Sequence, residues 1–265
     1  MHYEEHWGLA APPFDNVPDL QYYFPSAKHE TARQRLLYGI QARKGVVMLT
    51  GEIGCGKTLL SRALILNLPQ ATYDVALVAN PALPGTEFLA EILYQFGLDS
   101  QGSKADVLHR LNDHLLANQR DGLDSVLVVD EAQAIEDDRA FEDLRLLCNF
   151  QLNHRFLLTL VLMGQPELKS RVEGITQLNQ RIAIRYHLDP FTAEETREYI
   201  ATRMKAAGGA REVFTKDACY QVFKQSRGVG RLINSLCDLS LLLGYDEKAS
   251  CIDAPLVARA SLAMS

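Results

Sequence analysis

Three stretches of this 265-residue chain have residue types and spacing that chemistry needs. The first runs Gly51-Glu52-Ile53-Gly54-Cys55-Gly56-Lys57-Thr58-Leu59, a complete G-x-x-x-x-G-K-T loop. Glycines let successive backbone N–H groups curl around phosphates, and a helix starting there aims its positive dipole end at them. Lys57 is expected to reach the β- and γ-phosphates, and Thr58 to ligate Mg2+. The second stretch, VLVVDE at 126–131, is an apolar run ending in two carboxylates. Asp130 is expected to hold Mg2+ through its water shell, and Glu131 to polarise a water for attack on the γ-phosphate. The third, LVLMGQPEL at 160–168, puts Gln165 at the end of another apolar run. Gln165 could orient the attacking water or cap the helix that follows.

Two arginines could act across a subunit boundary. Arg181 closes QLNQR at 177–181, at the rim of a sheet, where it could reach a neighbour's nucleotide as an arginine finger or stay a solvated surface residue. Arg185, pointing outward on the alternating run that follows, is the substitute. Arg231 sits in the first turn of a helix opened by SRGVGR, which suits a lid reporting the γ-phosphate, or is a plain helix start. At Cys55 a helix N-terminus beside Lys57 should depress the thiol pKa and allow redox sensitivity; the plainer reading is a small side chain. The carboxylate pair argues for hydrolysis, against a small-molecule kinase. The lack of an N-K-x-D motif argues for ATP over GTP.

These residues need a scaffold. Five apolar runs read as strands, at 45–49, 74–79, 125–130, 156–163 and 182–188. The first four are nearly continuous in Val, Leu and Ile, as strands covered on both faces are. The fifth alternates, with Ile182, Ile184, Tyr186 and Leu188 on one face, as an edge strand would. Helical patterns lie between them. Phe88, Leu89, Ile92, Leu93 and Phe96 share one stripe, and Ser103 with Asp106 resembles a capping box ahead of Leu108, Leu111 and Leu115. The expectation is an α/β fold with a parallel five-stranded sheet and helices on both faces, over residues 1–190. From 191 to 265 only helices are expected, opening with Thr192 and Glu195 as cap and box.

The net charge of −6 leaves nucleic-acid binding to a local basic patch. Five cysteines without a C-x-x-C pair fit a reducing compartment, and no His/Cys cluster suggests a further metal. No apolar run reaches the roughly 18 to 20 residues that span a bilayer. The cytoplasm is expected, with attachment at the inner membrane only through a partner.

Taken in order, HWGLAAPPFDNVPDLQYYFPSAKHETA, GEIGCGKTLLSR, VLVVDEAQAI, DLRLLCNF, LVLMGQPEL, LNQRIAIRYHL and RGVGRLINSLCD resemble the AAA+ ATPases of the ExeA type. That family holds general secretion pathway protein A and the MshM-like pilus-biogenesis branch, with TnsC-like transposition ATPases more distant. The resemblance covers nearly the whole chain. It implies ATP and Mg2+ as ligands, Asp130 and Glu131 as Walker B, Gln165 as sensor 1, Arg181 as finger and Arg231 as sensor 2. It also implies a homo-oligomer, ring or filament, with ATP between subunits. A segment over 1–40, with Phe14, Tyr23 and His29, would lie near the adenine. The function implied is to drive or regulate assembly of a cell-envelope machine, a type IV pilus or secretion system, through an envelope protein not yet identified. The alternative is a DNA-binding ATP switch of the transposition or mobile-element defence type, on duplex DNA. Three departures stand out. Cys55 replaces a usual Thr, Gly230 replaces a usual Pro and implies a looser lid hinge, and the longer secretion proteins continue into a membrane helix and a peptidoglycan-binding domain.

Overall fold

The computed structural model describes residues 3–84, 86–153 and 155–264. They divide into an α/β unit (29–51 and 60–188) and a helical unit (1–28, 52–59 and 189–265).

The α/β unit carries β1 (Val46–Gly51), β2 (Tyr73–Val78), β3 (Asp124–Val129), β4 (Gln151–Leu152), β5 (Arg155–Phe156), β6 (Leu158–Gly164) and β7 (Ile182–Leu188). Five of these form one parallel sheet in the order β2-β3-β6-β1-β7. The runs VVMLTG and LTLVLMG are buried at every position, because β1 and β6 have a strand on each side and cover on both faces. At the edge, β7 buries Ile182 and Leu188 and exposes the positions between in alternation, as its sequence pattern predicts. One boundary moved. Phe156, expected to open the fourth strand, instead pairs with Gln151 in a short antiparallel ribbon of β4 and β5, and β6 begins at Leu158.

Helices flank this sheet. Helix Thr86–Gln95 buries Phe88, Leu89, Ile92 and Leu93; helix Lys104–Asp121 buries Val107, Leu111 and Leu115. The second starts with the expected capping box, Ser103 and Asp106 each bonding the other's backbone N–H. Since all five strands run parallel, their carboxyl ends share one edge, where ligands of such sheets bind.

The helical unit contains Ala193–Ala206, Lys216–Ser226, Gly230–Asp246 and Ala254–Ala263, with the short N-terminal helix Tyr3–Trp7. Thr192 and Glu195 close a second capping box. Its core includes Tyr199, Phe214, Val222, Ile233, Leu241 and Val257, and the opening segment adds Trp7 and Phe14. Trp7 is 1% exposed and donates its indole N–H to Leu241 O at 2.9 Å. Phe14 packs edge-on against Phe214, with centroids 5.9 Å apart. The buried Arg203 guanidinium donates to Pro13 O (2.6 Å) and Asp15 O (2.9 Å), which ties the segment down through its carbonyls. Gly228 has φ +77°, and a Cβ there would lie 1.9 Å from Phe191 O, so no other residue fits this turn.

Candidate nucleotide site

The P-loop leaves the sheet directly after Gly51, the last residue of β1, and runs into helix Lys57–Leu66. Gly54 and Gly56 have φ of +83° and +91°, the left-handed geometry that turns neighbouring N–H groups toward a common centre. Lys57, 4% exposed, donates its ammonium to Glu52 O at 3.0 Å. A charge that close to the helix start sits where phosphate oxygens are expected. Within the same unit the start of helix Gly230–Asp246 docks on the loop. Arg231 N–H donates to Gly54 O at 3.2 Å, and a Cβ on Gly54 would lie 2.7 Å from Arg231 Cβ. A Cβ on Gly230 already meets Gly54 O at 3.1 Å, so the glycine serves this close approach rather than looseness alone. The Arg231 side chain itself is exposed.

Cys55 departs from expectation. It is 4% exposed, and burial pushes its thiol up to about 11, although the Lys57 charge pulls the other way. The helix N-terminus and lysine do not make a reactive thiolate here, because desolvation of the charged form outweighs both. The small buried side chain is the reading that stands.

In the α/β unit, Asp130 follows β3 and is 2% exposed; its Oδ1 accepts the N–H of Glu131 at 2.9 Å. Glu131 takes φ +48° and ψ 36°, a left-handed conformation unusual for a side-chain-bearing residue and typical of held functional positions. Its Oε2 accepts two amide donors, Gln133 Nε2 at 2.5 Å and Gln165 Nε2 at 3.3 Å, whereas Oε1 accepts no hydrogen bond among the described residues. Gln165 does occupy the cap position of helix Pro166–Gly174, but its side chain makes no capping bond and turns to Glu131 instead. Gln165 thus holds the cap position with its backbone and turns its amide to the Glu131 carboxylate. Gln133 was not singled out from the sequence. The D-E-A-Q run put it two residues past Glu131, but its partner Gln165, just beyond β6, was visible only in the fold.

Arg181 donates to Cys148 O and to Asn149 Oδ1, both at 2.6 Å, so its guanidinium is anchored on the end of helix Asp138–Leu147. Arg185 is held in turn by Asn179, through O at 2.8 Å and Oδ1 at 2.5 Å. Neither lies with Glu131 and Gln165 in these hydrogen-bond networks.

The Thr58 hydroxyl in the helical unit and the Asp130 carboxylate in the α/β unit are each hard oxygen donors of the kind Mg2+ takes, and Gly54 and Gly56 have the left-handed geometry of a phosphate-binding loop.

A family model described as an AAA domain matches residues 40–172. General secretion pathway protein A of Aeromonas hydrophila is 39% identical over 247 residues, covering 92% of this chain and 45% of that protein. The chain thus spans less than half the length of the curated relative it matches. Among solved structures, a chain of Drosophila ORC bound to DNA has TM-score 0.74 at 17% identity, over 100% of this chain and 66% of that one. ORC2 of Aeropyrum pernix has TM-score 0.66 at 18% identity, over 95% and 69%. The Thermotoga maritima RuvB branch migration motor has 0.59 at 21%, over 88% and 68%. At such identities these structures speak for the fold alone. With its five-stranded parallel sheet, the P-loop after β1 and the carboxylate pair after β3, the chain belongs to the AAA domain family and is related to general secretion pathway protein A.

Proposed function

We propose that this chain is an Mg2+-dependent ATPase that assembles with ATP between subunits and drives or regulates assembly of a cell-envelope machine, a type IV pilus or secretion system. The observation that carries hydrolysis is Glu131: one carboxylate oxygen is held by two amides and the other is left open, at the sheet edge where ligands bind. A base held in one pose with an available lone pair is what water activation requires. Bound Mg2+·ATP would supply the transferable phosphoryl group and partial neutralisation of its charge. Thr58 and Asp130 would hold the metal, Lys57 would bind the β- and γ-phosphates, and the P-loop N–H groups would orient the chain of phosphates. Gln165 would hold the attacking water against Glu131. Arg181, exchanging its contacts on Cys148 and Asn149 for a neighbour's γ-phosphate, would complete the site in the oligomer. Arg231, whose backbone touches the P-loop, would carry the nucleotide state to the helical unit.

The envelope role is supported by the 39% identity to general secretion pathway protein A. Among the described residues no helix is long and apolar enough to cross a membrane. The test measures ATPase rate and particle size with and without duplex DNA, for wild type and Glu131→Gln. Turnover that needs Glu131 and ignores DNA supports this reading. DNA-stimulated turnover with DNA-coated filaments would replace it with the DNA-bound switch. Wild-type turnover no faster than Glu131→Gln would leave an ATP-binding adaptor.

A further inference from the structure

Gln133 ends up with both faces of its amide engaged. Its Oε1 accepts the backbone N–H of Gln165 at 2.9 Å, and its Nε2 donates to Glu131 Oε2 at 2.5 Å. The orientation of that amide is not arbitrary. A backbone N–H can only donate, so Gln133 must turn its oxygen to Gln165 and its NH2 to the carboxylate.

The surroundings are built to this amide. A Cβ on Gly164, the last residue of β6, would lie 2.5 Å from Gln133 Oε1 and 2.9 Å from Leu168 Cδ2. Only glycine leaves room for the amide at that strand end. From the other side Arg171 donates to the backbone carbonyls of Gln133, at 3.1 Å, and of Ile135, while its guanidinium lies 4.6 Å from the Phe141 ring centroid. The turn that bears Gln133, the one-turn helix Ala132–Ala134, is thereby clamped to helix Pro166–Gly174.

We propose that Gln133 is a positioning residue for hydrolysis, fixing the Glu131 carboxylate against the end of β6 so that Oε1 is the oxygen offered to water. Without it, Glu131 would keep only the longer bond from Gln165 and could rotate its side chain away. Both amides donate to the same charged oxygen, and the contact from Gln133 is the shorter by far, so it dominates the pose. The proposal rests on the reading of Glu131 as the base.

Two variants separate positioning from a merely structural bond. Gln133→Met removes both contacts. Gln133→Glu keeps an acceptor for the Gln165 N–H but loses the donor and sets a like charge beside Glu131. Both should lower kcat about 10- to 100-fold, with KM for ATP changing less than about twofold. Amide hydrogen exchange, followed by NMR on the protein without nucleotide, supplies an independent readout. The Gln165 N–H should exchange faster in Gln133→Met and stay protected in Gln133→Glu.

Gln133→Glu turning over at the wild-type kcat would overturn the proposal, since the amide would then serve Gln165 alone. Unchanged Gln165 exchange in Gln133→Met would overturn it as well. Wild type outpacing Glu131→Gln, with Gln133→Met at full kcat, would sink the positioning role and leave the ATPase reading intact. Wild type no faster than Glu131→Gln would overturn both.

Discussion

A Cβ added to Gly244 would lie 2.8 Å from Trp7 Cζ2 and 2.7 Å from Ile252 Cδ1. Gly244 faces inward from helix Gly230–Asp246, and the indole fills the space its missing side chain leaves. Gly244→Ala therefore has two opposed effects. Alanine in a helix interior gains about 1 kcal/mol over glycine. Overpacking against a rigid, fully buried ring costs about 1 to 3 kcal/mol. The expected sum in the wild type is a loss of about 1 kcal/mol. In a Trp7→Leu background the ring is gone. Only the Ile252 terminal methyl, at the end of a flexible side chain, must move, and the helix gain of about 1 kcal/mol should survive. The sign reverses, and the double-mutant cycle should give a coupling of about 2 kcal/mol. Urea unfolding followed by far-UV circular dichroism measures all four proteins. Trp7 is the chain's one tryptophan, so fluorescence checks the helical unit separately in the two that retain it. A coupling within about 0.5 kcal/mol of zero would refute the reasoning and detach the opening segment from the helical core.

Three further outcomes follow from the buried groups and the rim. Burial raises the thiols of Cys55, Cys148 and Cys219 to about 11, whereas an unfolded thiol titrates near 9.0. The folded state thus keeps protons that the unfolded chain releases. The stability this contributes is complete below pH 9 and is lost as pH rises through 11, which urea midpoints between pH 8 and 11 would register. At pH 8 iodoacetamide should label the exposed Cys251 first; prompt labelling of Cys55 would contradict its burial. Arg181→Ala should abolish hydrolysis while equilibrium binding of a fluorescent ATP analogue is unchanged, and intact hydrolysis would refute the trans-acting role.

The parts of the fold that could be read in the sequence are those with local causes. β1, β3 and β6 are rich in Val, Leu and Ile because each has a neighbour on both edges and is covered, and β7 alternates because every second side chain is exposed. Both capping boxes depend on residues three apart and were legible for the same reason. The P-loop and the carboxylate pair were legible because phosphate and metal binding constrain short spacings. What escaped was set by distant partners. Trp7 meets a carbonyl more than two hundred positions along the chain, and Gln133 finds its acceptor role at Gln165 across two strands. At Cys55 the small-side-chain reading stands, but the lowered thiol pKa does not: helix position and the lysine charge are visible in sequence, and the burial that outweighs them is not.

The order β2-β3-β6-β1-β7 also governs how the protein comes into being during translation. β1 pairs only with β6 and β7. Both lie roughly a hundred residues or more downstream, so the loop that must close first is long and the pairing slow. β2 and β3 can pair earlier. The strand that presents the P-loop emerges from the ribosome first among the five yet must wait for both its neighbours, with two bare edges and a mostly apolar sequence in the interval. Such a segment is an aggregation hazard in the nascent chain. β1 thus keeps its second edge open until β7 has been made, and synthesis stalled before Ile182 should leave that edge for chaperones to cover.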